Sequence, residues 1–143
     1  MSAEAEARMR RSLLRLEEAR HDLAGGYPEG SCNRSYYAAY EAAVAALLKL
    51  GTDPGRTHGG NRQMFFRDVV RTGMVSAEVS AALGRTESRR HTADYSLDKI
   101  TSGDAKESIN EAEQFVSTIA EVFFPSMELK PMGQSRRECN QST

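Results

Sequence analysis

The chain has 143 residues, of which 39% are hydrophobic and 27% charged, and its formal net charge is −1 at pH 7. This length suits a single domain, and this composition is typical of globular rather than disordered proteins. No apolar run reaches the roughly eighteen residues that a membrane-spanning helix needs, and the N-terminal segment lacks the apolar core of a signal peptide. We therefore expect no membrane association and a cytoplasmic protein whose cysteines, Cys32 and Cys139, stay reduced.

Apolar residues recur at intervals of three and four along most of the chain, which is the spacing of amphipathic helices. The pattern predicts five helices, at about 3–24, 29–50, 61–71, 77–95 and 104–124. Short connections between helices favour antiparallel neighbours. The sequence therefore predicts an all-α antiparallel bundle of four to five helices, with one domain at 1–125 and a polar tail at 126–143.

Helix boundaries are marked by turn and capping residues. Gly26 and Gly73 follow predicted helix ends, and Ser76 is placed to cap the fourth helix. Asp104 and Glu107 have the spacing of a capping box at the start of the last helix.

Charge is distributed unevenly along the chain. Residues 56–90 contain seven arginines and three acidic residues, whereas 98–121 contains six acidic residues and two lysines. One interpretation is that the arginines form solvated helix faces. The other is that they bind an anionic partner such as RNA or a nucleotide.

Arg90 and Asp94 lie four residues apart on the fourth predicted helix, a favourable spacing for an ion pair. Such a pair can simply orient the helix end. Alternatively, Asp94 holds the Arg90 guanidinium rigid so that its remaining donors bind a phosphate. Tyr95 either offers a hydroxyl or a stacking face to the same ligand or packs in the core.

The second predicted helix has a polar face, which carries Arg34, Tyr37 and Glu41 and is predicted to form the wall of a cleft facing Arg90. A second face is expected to pack in the core and carries Tyr36, Tyr40 and Val44.

His58 lies in a segment bracketed by glycines, Thr57-His58-Gly59-Gly60, where backbone can approach a ligand closely. A loop histidine can serve as general acid or base near neutral pH, and it can equally cap a helix or remain exposed. No cysteine and histidine spacing of a zinc site, no calcium loop and no P-loop occurs, so we expect neither a metal nor a cofactor.

Five short motifs follow one another along the chain: Arg34-Ser35-Tyr36-Tyr37-Ala38, Thr57-His58, Phe65-Phe66, Val70-Arg71-Thr72-Gly73 and Arg90-His91-Thr92-Ala93-Asp94-Tyr95. In this order they resemble the HEPN family, in its small stand-alone branch that is often encoded beside a minimal nucleotidyltransferase. The resemblance covers about residues 7–123. The resemblance implies a helical bundle that forms a homodimer, a toxin-like action on RNA, and restraint by a nucleotidyltransferase partner.

The chain departs from the family at the catalytic motif. Catalytic members are metal-independent ribonucleases that carry an arginine and, after four to six residues, a histidine. Here Arg90 is followed by Ala93-Asp94-Tyr95, and no histidine stands at the expected spacing. Arg85 and His91 have the required spacing, but Arg90 and not Arg85 occupies the arginine position of the family motif. Ribonuclease activity is therefore left open.

Three functions are consistent with the sequence. The first is a toxin-like protein that acts on or binds RNA or a nucleotide, with His58, Arg90 and Asp94 as catalytic candidates. Its binding residues are Arg34, Tyr37, Arg90 and Tyr95. The second is a non-catalytic nucleotide-binding or scaffold module for the nucleotidyltransferase, and the third is a purely structural helical dimer.

Overall fold

The computed structural model describes residues 2–127, which form five α-helices and no strand. The helices are α1 (Ser2–Ala24), α2 (Pro28–Lys49), α3 (His58–Phe65), α4 (Ala77–Tyr95) and α5 (Ser102–Phe123). A π-helical segment, Phe66–Val70, continues α3. The predicted all-α bundle is confirmed, and nearly all of the predicted tail lies outside the described residues. None of the described helices combines the length and apolarity needed to cross a bilayer.

α2 is the central helix and packs against α1, α3, α4 and α5. Its alanines are buried, and small side chains let the backbones of neighbouring helices approach closely. The buried alanines are Ala38, Ala39, Ala42, Ala43, Ala45 and Ala46. Alanine also has the highest intrinsic helix propensity, so this composition favours both the helix and its central position.

α1 and α2 form an antiparallel hairpin held by polar contacts along its length. Near one end, the Arg8 guanidinium lies 3.0 Å from the buried Glu41 carboxylate. Near the other, the Ser31 hydroxyl donates a hydrogen bond of 2.8 Å to the Ala19 carbonyl. Residue numbers therefore rise along α1 while those of the opposing residues fall along α2.

Consecutive long helices of the bundle alternate in direction. Because α4 lies between them in the chain, α2 and α5 run in the same direction. Cys32 and Ala105, near the N-terminal ends of α2 and α5, share a buried cluster. At the opposite ends, the Lys49 ammonium lies 5.6 Å from the centre of the Phe124 ring.

Glycine ends α1 as the sequence predicts. Gly26 has a φ of 86°, a left-handed conformation that glycine adopts without steric penalty. Its N–H donates to the Leu23 carbonyl at 3.1 Å, and the Tyr27 N–H donates to the Asp22 carbonyl at 2.8 Å. This double hydrogen bond is a Schellman motif, and it satisfies carbonyls that the helix end leaves unpaired.

The third helix begins earlier than predicted, at His58 rather than near residue 61. Thr57 is its N-cap, and the Thr57 hydroxyl accepts a hydrogen bond of 3.0 Å from the Gly60 N–H. A Cβ at position 60 would lie only 2.7 Å from the Thr57 hydroxyl oxygen, so glycine permits the close approach of this cap. His58 is therefore a first-turn helical residue and not a loop residue.

Two further caps test the predicted boundaries. Ser76 caps α4 as predicted, since its hydroxyl accepts a hydrogen bond of 3.1 Å from the Val79 N–H. The predicted capping box of Asp104 and Glu107 is wrong by one turn: Thr101 is the N-cap of α5 and Asp104 is its N3 partner.

Candidate functional site

Arg90, on α4, is surrounded by three tyrosine rings. Its guanidinium carbon lies 5.6 Å from the ring centre of Tyr37, 5.8 Å from that of Tyr36 and 6.0 Å from that of Tyr95. The Arg90 Nε lies 3.0 Å from an Asp94 carboxylate oxygen, and one Nη is 3.5 Å from the Tyr37 hydroxyl. Aromatic faces and a carboxylate thus fix the cation while the outer guanidinium N–H groups keep capacity for an anion.

Asp94 is itself held by α2, because the Asn33 side-chain amide donates to its carboxylate at 3.3 Å. The Asn33 hydrogen bond therefore connects the Arg90–Asp94 ion pair of α4 to α2. The predicted pairing of these residues is present, in the partly exposed setting that favours ligand access.

His58, at the start of α3, packs on the tyrosines of α2. Its Nδ1 lies 2.7 Å from the Tyr36 hydroxyl. The imidazole stacks on Tyr40 with a 4.0 Å centre separation and meets Tyr37 edge-on at 5.7 Å. Burial, and next the positive charge of Arg90, lower the pKa of His58 below its ordinary value. The neutral imidazole is therefore the favoured form at pH 7.

Asn61 holds the segment that precedes α3. Its side-chain amide donates to the Tyr40 hydroxyl at 2.7 Å and to the Gly55 carbonyl at 3.1 Å, and it accepts from the Gly55 N–H at 2.7 Å. These hydrogen bonds connect the backbone at Gly55 to the side chain of Tyr40, on which His58 stacks.

The second charged pair beside these residues is Arg62 and Glu87, whose charged atoms lie 2.9 Å apart between α3 and α4. Burial, and next the negative charge of Glu87, raise the pKa of Tyr36, so its hydroxyl stays protonated. Eight neighbouring residues form what we call the Arg90 cluster: Tyr36, Tyr37, Tyr40, His58, Asn61, Arg90, Asp94 and Tyr95.

The Arg90 cluster combines a fixed cation, hydroxyl groups, a neutral imidazole and exposed aromatic surface. Within the described part of the chain, no three histidine, cysteine or acidic residues are grouped so that they can hold a metal ion. The donors present suit a phosphate, and the exposed ring of Tyr95 suits a nucleobase.

The HEPN domain family model matches residues 5–122 of the chain. The chain belongs to the HEPN domain family. The match spans all five helices, so the Arg90 cluster lies inside this HEPN domain.

Curated proteins from three organisms are similar to this HEPN domain. A candidate toxin of Methanocaldococcus jannaschii is 35% identical over 86 residues, which cover 60% of the chain and 63% of that protein, less than two thirds of its length. A UPF0332 protein of Archaeoglobus fulgidus is 32% identical over 79% of the chain and 90% of its own length. A UPF0332 protein of Thermotoga maritima is 32% identical over 77% and 83% respectively.

The structure brings together five of the six residues predicted from the sequence to be catalytic or binding residues. His58, Tyr37, Arg90, Asp94 and Tyr95 are neighbours, with contacts described above. The Tyr95 side chain is 69% exposed, so the alternative that it packs in the core is wrong.

Arg34 lies apart from the cluster, since its Nε is 3.9 Å from a carboxylate oxygen of Glu18 on α1. Glu41 likewise faces α1, where it pairs with Arg8. The predicted cleft wall is therefore wrong for both residues. α1 covers their side of α2, and only Tyr37 of the three predicted wall residues contacts Arg90.

Arg85 and His91, which have the spacing of the catalytic motif but not its alignment, do not form a site together. Arg85 hydrogen-bonds Glu111 on α5, whereas His91 packs against Tyr95 at a ring separation of 4.9 Å. The two side chains thus have separate partners.

Tyr36, Tyr40 and Asn61 belong to the cluster but were not predicted as site residues. Tyr36 is fully buried, as expected of a core residue, yet its hydroxyl contacts His58. A tyrosine at a buried position of a helix is a usable signal, because its hydroxyl requires a hydrogen-bond partner. Asn61 carried no such signal, since its neighbours in the sequence are those of a turn.

Proposed function

We propose that this HEPN domain is a toxin-like protein that binds RNA, and that Arg90 contacts a phosphate of the bound strand. The observation that carries this proposal is the enclosure of Arg90 by Asp94 and three tyrosine rings. A guanidinium fixed in this way loses little side-chain freedom on binding, and its outer N–H groups match the geometry of phosphate oxygens. Tyr95 supplies an exposed ring on which an unpaired base can stack.

The test compares Arg90→Ala with Arg10→Ala. Arg10 is a matched control because it also pairs with a carboxylate four residues away, Glu6 on α1, but lies outside the cluster. We expect Arg90→Ala to weaken binding of a single-stranded RNA oligonucleotide by about 1.5–3 kcal/mol, the scale of a charge-assisted hydrogen bond. Fluorescence anisotropy measures the affinity, and Arg10→Ala should leave it unchanged.

Thermal unfolding separates a binding role from a structural one. We expect Arg90→Ala to change the free energy of unfolding by much less than the binding energy, since partly exposed ion pairs contribute about 0.3–0.5 kcal/mol. An Arg90→Ala protein that binds RNA normally but unfolds at a far lower temperature would make Arg90 a structural residue and refute the proposal.

A second candidate function is a non-catalytic nucleotide-binding or scaffold module. The observation that favours it is the absence of an in-register histidine after Arg90. An RNA cleavage assay distinguishes the two: turnover that is lost in His58→Ala and retained in Arg10→Ala would establish a ribonuclease with His58 in a catalytic role.

We also propose that a minimal nucleotidyltransferase restrains this protein, as the family resemblance implies. Sequencing of the neighbouring genes shows whether a minimal nucleotidyltransferase is encoded there, and its co-expression with this chain, followed by affinity purification, tests the partnership. Recovery of the chain alone, with its toxicity unaffected by co-expression, would contradict it.

A further inference from the structure

We propose that Tyr36 is a positioning residue that keeps the His58 ring neutral with its proton on Nε2, so that His58 is a second hydrogen-bond donor to the phosphate beside Arg90. The ligand in this inference rests on the proposed function. The protonation state of His58 in the free protein does not, and it can be measured separately.

The donor and acceptor roles follow from the burial of Tyr36. Its side chain is fully buried, and in the described part of the chain His58 Nδ1 is the hydrogen-bond partner of its hydroxyl, at 2.7 Å. A buried hydroxyl proton without an acceptor is unfavourable. The Tyr36 hydroxyl therefore donates to Nδ1, which must be unprotonated, and the proton of the neutral ring resides on Nε2.

The charges around His58 also favour the neutral ring. Arg90 on α4 and Arg62 on α3 oppose a positive charge there, and Glu87 on α4 and Glu41 on α2 favour it. The Tyr36 hydroxyl, which contacts the ring, stays protonated and carries no charge. Burial together with the two arginines outweighs the carboxylates, so a proton does not remain on both nitrogens at neutral pH.

Packing holds the ring in a fixed orientation. His58 stacks on Tyr40, and Asn61 in turn holds the Tyr40 hydroxyl at 2.7 Å. Arg90 and His58 lie around the same two rings, since both are within 6 Å of the ring centres of Tyr36 and Tyr37. Two donors placed around shared rings can address one phosphodiester group.

This arrangement has a chemical consequence. A neutral imidazole that carries its proton on Nε2 can donate a hydrogen bond there but cannot accept a proton at the same atom. His58 therefore binds the phosphate and does not act as a general base through Nε2.

Nuclear magnetic resonance tests the protonation state directly. Long-range ¹H–¹⁵N spectra of the ligand-free protein at neutral pH should show His58 as a neutral ring protonated on Nε2. Tyr36→Phe removes the hydroxyl and should shift His58 towards the Nδ1-protonated form. Tyr27→Phe is the matched control because Tyr27 is exposed and lies outside the cluster, and it should leave the His58 signals unchanged.

RNA affinity tests the donor role, with a single-stranded oligonucleotide as the probe. A glutamine amide can place an N–H near the position of imidazole Nε2, whereas an asparagine amide lies nearer Nδ1. We expect His58→Gln to retain affinity within about threefold of the wild-type protein, and His58→Ala and His58→Asn to lose about tenfold, the scale of a hydrogen bond to a charged group.

Each result decides a separate part of the inference. A His58 ring protonated on Nδ1, or positively charged at neutral pH, would overturn the role of Tyr36. Normal RNA binding by His58→Ala, with binding lost in Arg90→Ala, would overturn the donor role and leave the proposed function standing. A wild-type protein that binds no RNA would refute the proposed function and the donor role together, while the spectra would still decide the tautomer.

Discussion

Hydroxyl groups connect the residues of the Arg90 cluster as much as charges do. The Tyr36 hydroxyl contacts His58, and the Tyr40 hydroxyl accepts a hydrogen bond from Asn61. Phenylalanine at either position would keep the ring and lose the bond. At the residue scale, the tyrosines of α2 therefore fill the core with one end and orient the cluster with the other.

The altered pKa of His58 makes stability depend on pH. Because burial and Arg90 lower this pKa below 6.5 in the folded protein, the unfolded chain binds more protons between the two values. The free energy of unfolding therefore rises with pH across that window, and the contribution of neutral His58 is lost as pH falls through it. We expect the wild-type protein to lose more stability than His58→Gln when pH drops from about 7.5 to 5.

Urea unfolding at both pH values measures this difference. Arg90→Ala removes one cause of the lowered pKa and should give an intermediate pH dependence. Equal losses in wild type and His58→Gln would show that His58 has the same pKa in the folded and unfolded states.

The sequence was sufficient for those site residues whose relation is local. Arg90 and Asp94 are four apart on one helix, so their pairing follows from helix geometry alone. Arg34 and Tyr37 are three apart on one helix, but Arg34 lies near Glu18 of α1 whereas Tyr37 contacts Arg90 of α4. Which side a neighbouring helix covers depends on tertiary packing, which no local spacing encodes.

At the scale of elements, boundaries were predictable where capping residues were distinctive. Ser76, the predicted N-cap, gave the start of α4 as observed, at Ala77. α3 was predicted too short at its start, because Gly59 and Gly60 are poor helix formers and Thr57 was not recognised as the N-cap. The Thr57 cap and the hydrogen bonds of Asn61 stabilise this helix and offset the low helix propensity of its two glycines.

Asn61 therefore provides a test at the element scale. The residue is 3% exposed and makes three hydrogen bonds, so Asn61→Ala leaves the Gly55 N–H and the Tyr40 hydroxyl without partners. We expect a loss of about 1–3 kcal/mol in the free energy of unfolding. Gln63→Ala, at an exposed position of the same helix, is the control and should change it by less than about 0.5 kcal/mol.

Chemical denaturation of both variants gives these values. Wild-type stability in Asn61→Ala would mean that water replaces the amide, and that the segment around Gly55 does not depend on it.

At the scale of the whole molecule, the burial of α2 limits where a homodimer contact can form. Of the 22 residues of α2, 13 are buried within one chain, so this helix has little surface left for a partner. α4 buries only three of its 19 residues, so we place the proposed homodimer contact along α4. Light scattering should give about twice the 15.8 kDa mass of the chain, and a single-chain mass at high micromolar concentration would reject the dimer.

The charge asymmetry seen in the sequence is largely neutralised in the fold. Five of the seven arginines between residues 56 and 90 are ion-paired, namely Arg62, Arg67, Arg85, Arg89 and Arg90. The acidic helix α5 supplies Glu107 and Glu111 to this pairing. Only Arg56 and Arg71 of the seven make no ion pair within the described residues, so the cationic surface open to RNA is small.

This pairing predicts a weak salt dependence of RNA binding. For single strands, the logarithm of affinity falls by about 0.7 per phosphate neutralised for each unit of log salt concentration. Contacts by Arg90, alone or with one or both unpaired arginines, give a slope of about −0.7 to −2, whereas contacts by all seven would give about −5. Anisotropy titrations from about 50 to 200 mM KCl measure the slope, and Arg85→Ala should not change it because Arg85 is paired with Glu111. A slope near −5 would mean that the ion pairs between α4 and α5 open on binding, and that RNA covers the arginine-rich face rather than the Arg90 cluster alone.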